Sequence, residues 1–72
     1  MTITGDDGRF ALRCWGDRRR AGPSHEVASD DEQALKTMAA HLVRTGAYGY
    51  VEFLAWNMEL NDWVRIESFR SE

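Results

Sequence analysis

Few residues in this sequence could take part in bond-making chemistry: His25, His41, Cys14 and a scatter of carboxylates. Acid–base or nucleophilic catalysis needs a titratable group held by an orienting partner. His25 and His41 stand sixteen residues apart, and no Ser-His-Asp set, metal-ligand spacing or glycine-rich phosphate loop accompanies them. Both histidines therefore read as surface or boundary residues, His41 beside the polar edge of a helix. Cys14 alternates onto the inner side of a strand. Gly5-Asp6-Asp7-Gly8 carries two carboxylates but lacks the ligand spacing and distal glutamate of a calcium loop, so it reads as a turn. The expectation is a chain with no catalytic residues, no metal site and no cofactor.

Binding chemistry is better represented. Arg18-Arg19-Arg20 is the one concentrated basic feature, and an arginine loop beside aromatic rings could hold phosphates while bases stack. A plain solvated loop is the simpler reading, since the chain as a whole is acidic. The carboxylates Asp30, Asp31, Glu32, Glu52, Glu59, Asp62 and Glu67 could form a surface that competes with nucleic acid for a basic channel on another protein. Alternatively, the first three compensate a helix dipole and the rest keep the chain soluble. Tyr50, Leu54, Trp56, Trp63 and Phe69 alternate onto one side of the C-terminal strands, with Trp15 near them. Rigid amphipathic rings of this kind are frequent interface anchors. They either meet a partner or are covered by loops or the N-terminal segment as a second small core.

The elements that must position these groups follow from periodicity. The Asp-Gly step between residues 1–4 and Arg9–Trp15 signals a β-hairpin, with Phe10, Leu12 and Cys14 facing a core. Residues 16–24 hold glycine at both ends, a proline and the three arginines, the composition of an exposed loop. His25–Ala28 suits a short optional strand. Ser29 followed by Glu32 has the form of a capping box. From Asp30 the residues Leu35, Met38, Ala39, Leu42 and Val43 form one apolar helical stripe, which Gly46 ends. Tyr48–Trp56 and Trp63–Phe69 read as strands, Val51, Phe53, Ala55, Val64 and Ile66 facing the helix. The fold class is α+β, with a single helix on one face of a small, mostly antiparallel sheet, β-β-(β)-α-β-β, over one domain spanning 1–72.

Length bounds the rest. A chain of 72 residues buries only roughly 60% of its unfolded surface, too little for a deep water-excluding cleft. With 43% hydrophobic and 29% charged residues it has the profile of a folded chain rather than a disordered one. A lone cysteine fits a reducing compartment, and neither a leader-like start nor an apolar run long enough to span a bilayer occurs. The expected location is the cytoplasm.

In size, in its single helix on a small sheet, in its acidic balance (net charge −3) and in its lack of catalytic motifs, the chain resembles the small anti-CRISPR proteins encoded by phages. The resemblance implies an inhibitor that sits on a CRISPR effector complex in a bacterial host and blocks DNA recognition. No residue is carried over from that family. The combined reading is a non-enzymatic protein-binding inhibitor, monomeric and without a membrane partner, acting through Glu52, Glu59, Asp62, Glu67, Tyr50, Trp56 and Trp63. The alternative is a small RNA- or single-stranded-DNA-binding module that uses Arg18, Arg19 and Arg20 with exposed aromatics.

Overall fold

The structure, a computed structural model, describes residues 3–16 and 23–70. The expected α+β architecture is present: β1 (Phe10–Trp15), β2 (His25–Ser29), α1 (Glu32–Arg44), β3 (Tyr50–Asn57) and β4 (Asp62–Arg70). All strand pairs are antiparallel, in the order β2-β1-β3-β4, with the helix packed on one face. The partner of β1 is β2, so the strand written as optional is part of the sheet, whereas residues 3 and 4 lie outside any strand. The Gly5–Asp7 turn does form: the Asp7 N–H donates to the Thr4 carbonyl at 2.9 Å, and an Asp7 carboxylate oxygen accepts the Thr4 N–H at 2.7 Å.

The helix begins two residues later than the capping box suggests. Ser29 is held as the last residue of β2, opposite Phe10, and its hydroxyl accepts the Asp31 N–H at 3.1 Å. Asp31 is the cap, with extended backbone and a carboxylate that accepts the Ala34 N–H at 3.0 Å. Strand pairing thus competes with helix capping for Ser29 and wins. At the other end Gly46, at φ 79°, takes the left-handed turn that stops the helix.

Alternation divides the sheet into two faces. Leu12, Cys14, Val51 and Phe53 are fully buried with Leu35 and Ala39 of the helix, and Phe10, Val27, Leu42, Val43, Tyr48 and Phe69 close the margins. Burial of each large side chain there contributes about 1.5–3 kcal/mol. Cys14 is fully enclosed in this layer, and desolvation pushes its thiol up to about 11.

Phe69 faces the helix and not the aromatic side to which simple alternation assigns it. Phe53 pairs with Glu67 and Leu54 with Arg65, so Ile66 is an extra residue in β4. This bulge reverses the side-chain parity beyond it. Val64 keeps its helix-side position opposite Ala55, but Ile66 is 58% exposed rather than buried under the helix.

Candidate functional site

The face away from the helix has two halves. At one end, Ala11, Leu54 and Trp63 form a second buried cluster, covered by Ile3 and flanked by Ala28 and Trp56. The Trp63 indole N–H donates to the Ile3 carbonyl at 3.0 Å, pinning the N-terminal segment across the sheet. Trp56 meets Trp63 edge to face at 5.1 Å between ring centroids. Gly5 lies so close to Trp56 that any side chain there would collide with the indole. Of the two readings of these aromatics, coverage by the N-terminal segment therefore holds for Trp63, which is 8% exposed, while Trp56 stays half-buried at the rim.

The other half has no covering segment among the described residues. Trp15 and Tyr50 are tilted rings 5.3 Å apart, with the Arg70 guanidinium 5.6 Å from the Tyr50 ring. The Tyr50 hydroxyl donates to Glu52 at 2.8 Å, and Arg65 approaches the same carboxylate oxygen at 3.4 Å. Arg13 is paired with Glu26 across the strands at 2.8 Å. These contacts engage Arg13, Glu26, Tyr50, Glu52 and Arg65 within the open half.

The acidic residues sort by the ends of the strands. β1 starts, β2 ends, the helix starts and the β3–β4 turn closes at one end of the sheet. Asp6, Asp7, Asp30, Asp31, Glu32, Glu59 and Asp62 are therefore all at that end, and all are exposed. Among the described residues the cations near them are Arg9 and Lys36, and Lys36 already pairs with Glu32 at 3.6 Å. Four of the carboxylates are fixed by backbone donors: Asp7 by Thr4, Asp30 by Arg9, Asp31 by Ala34 and Asp62 by Trp63. At the opposite end stand Arg44, at the helix terminus, and Arg70.

The anticipated binding residues thus separate into three places. Glu59, Asp62, Trp56 and Trp63 gather at the acidic end. Tyr50 and Glu52 belong to the internal network of the open half, and Glu52 is only 17% exposed. Glu67, opposite Phe53, stands on the helix side, so Glu52 and Glu67 do not share a surface. Arg18, Arg19 and Arg20 lie outside the described residues.

Sequence reasoning left out Asp6 and Asp7, which the N-terminal turn brings to the same end as Glu59 and Asp62. It also left out Met58 and Leu60, which stand 87% and 66% exposed at the tip of the β3–β4 turn. Their apolar character has no role in the turn itself. That turn is closed by the Asn57 side chain, which accepts the Leu60 N–H at 3.0 Å, and by Asn61 in the left-handed conformation at φ 53°. Following each strand to its end would have collected the carboxylates.

Among the described residues, no three His, Cys, Asp or Glu side chains are grouped to hold a metal ion, and no helix is long and apolar enough to cross a membrane. Cys14 is sealed in the core with a raised pKa, the opposite of the exposed, low-pKa thiolate that nucleophilic chemistry uses. His41 is on the exposed side of the helix, and His25 stacks against Tyr48 at 6.5 Å. The chain matches no known protein family, no curated protein and no solved structure.

Proposed function

We propose that this domain is a non-catalytic binding protein whose acidic end docks on a basic, nucleic-acid-handling surface of another protein and thereby blocks it. The observation that carries the reading is the gathering of seven exposed carboxylates at one end of the sheet around Trp56 and the apolar turn tip. Clustered charge of one sign steers an oppositely charged partner and opposes nucleic acid, while exposed Met58 and Leu60 offer apolar contact inside the charged rim. A CRISPR effector that holds DNA on lysines and arginines is the partner implied by the resemblance to anti-CRISPR proteins, and the bacterial cytoplasm is where the two would meet.

The second reading, a nucleic-acid module, draws on the open half of the sheet, where Arg13, Arg65 and Arg70 stand beside Trp15 and Tyr50. It is weaker because Arg13 and Arg65 are already engaged by Glu26 and Glu52. Affinity capture from a bacterial lysate, with and without nuclease, separates the two. The docking reading expects a nuclease-resistant protein complex retained by the wild type and lost from Asp6→Lys/Glu59→Lys, substitutions at side chains that cap no helix and, among the described residues, pair with no cation. Retention of nuclease-sensitive material alone, unaffected by those changes, would replace it with the second.

A further inference from the structure

The acidic end is not a flat surface. Between the N-terminal turn and the β3–β4 turn lies a cleft of about 370 Å³, with Trp56 and Trp63 as its ring walls and Asp6, Asn61 and Asp62 among its lining residues. The two indoles stand 78° apart, so they form a corner. Gly5 packs directly on Trp56 and fixes that ring from the side of the turn. The corner is rigid for a second reason: the Trp63 indole is tethered to the Ile3 carbonyl and its backbone N–H to Asp62.

We infer that this cleft is a receptor for one arginine side chain of the partner, a reading that rests on the acidic-docking proposal and names the chemistry of its central contact. Two arguments select the occupant. Charge complementarity requires a cation, because Asp6 and Asp62 supply carboxylates and, among the described residues, no cationic side chain lines the cleft. Shape selects a planar one: a guanidinium stacks on an indole face while donating in its own plane to carboxylate and amide oxygens. An ammonium is a compact, strongly hydrated charge that would use the ring corner less well. Asp62 can take part without releasing Trp63, since only one of its oxygens accepts the Trp63 N–H. The cleft is also large enough for such a side chain, as ligand pockets begin at roughly 300 Å³.

The test uses blocked arginine (N-acetyl-arginine amide) as the probe and NMR of the indole N–H groups of the ¹⁵N-labelled full chain as the readout. Saturable shifts are expected at Trp56 and Trp63 and none at Trp15, which is on the open half of the sheet. Blocked citrulline, equal in shape but uncharged, should produce no such shifts. The near-isosteric double change Asp6→Asn/Asp62→Asn, in which the new side-chain amide beside Trp63 keeps an oxygen for the Trp63 N–H, should weaken probe binding about tenfold. An equal response to citrulline, shifts led by Trp15, or no saturable shift in the wild-type chain would each overturn the inference. The wild-type comparison of the two probes stands even if the double variant folds poorly. The outcome is also separable from the docking proposal, because a partner captured by the wild type and released by Glu59→Lys, with no arginine response in NMR, keeps the acidic dock and removes the cleft.

Discussion

The two halves of the sheet face away from the helix are built from similar residue types and end in opposite states. One half holds Trp63, Trp56, Leu54 and Ala11 and is closed by Ile3 into a small core. The other holds Trp15 and Tyr50 with three arginines and two glutamates, and carries ion pairs where, among the described residues, no segment covers it. Strand alternation treats both alike, since it only says which side chains share a face. What separates them is whether a distant segment crosses over, and here one hydrogen bond between residues sixty positions apart marks the crossing. Ring type alone therefore did not mark the exposed anchors, because one of the three tryptophans, Trp63, is removed from solvent while Trp15 and Trp56 are only half-buried.

The sharpest way to break this contrast is to truncate one tryptophan in each half. Trp63→Ala should cost about 3 kcal/mol, because it leaves a cavity and releases the Ile3 carbonyl. That is a large part of the roughly 4–11 kcal/mol available to a chain of this length. Trp15→Ala should cost about 1 kcal/mol or less, its ring being half in water already. Urea unfolding of the two variants checks the ordering, and equal losses would mean the halves are closed to the same degree.

The helix-side core supplies the scale for full closure through Cys14. Its thiol is held protonated up to about 11, whereas an ordinary cysteine ionises near 9.0. The unfolded chain therefore loses this proton first as pH rises. Stability contributed by the neutral buried thiol is intact below about pH 9 and falls between roughly pH 9 and 11, by an amount on the order of 2 kcal/mol. Cys14→Ala should lose less stability than wild type across that window, measured by denaturant midpoints at each pH.

A smaller effect tests what holds the helix over its face. Asp31→Ala should cost about 1 kcal/mol by freeing the Ala34 N–H, with Ser29→Ala costing less. A larger loss at Ser29 would restore the capping box suggested by its spacing to Glu32. Smallest of all, Glu26→Gln in the open half should change stability by about 0.5 kcal/mol, the usual worth of a partly exposed pair. A loss comparable to that of Trp63→Ala would show the ion pairs to be the closing element of that half.

Much of the architecture was legible because it is written in local periods: the stripe of Leu35, Met38, Ala39, Leu42 and Val43, the stop at Gly46, and the alternating strands. Three features were not. The bulge at Ile66 has no local marker, since any residue can be the inserted one, yet it moves Phe69 and Glu67 to the helix side. The N-cap shifted because pairing of Ser29 with Phe10, nineteen residues earlier, outweighed its own hydroxyl chemistry. The acidic end was divided in the sequence among three separate segments, 6–7, 30–32 and 59–62. Only the antiparallel order of the strands, which returns each segment to the same edge, assembles it.

The bulge has a further consequence for how the molecule behaves in a crowded solution. β4 is an outer strand of nine residues, and a long regular rim of unpaired amides is a template on which foreign strands can add. With Ile66 inserted, a straight strand laid against that rim could match inward and outward side chains on one side of the insertion and would place them wrongly on the other. One extra residue near the middle of β4 therefore limits how far any incoming strand can pair in register along that rim.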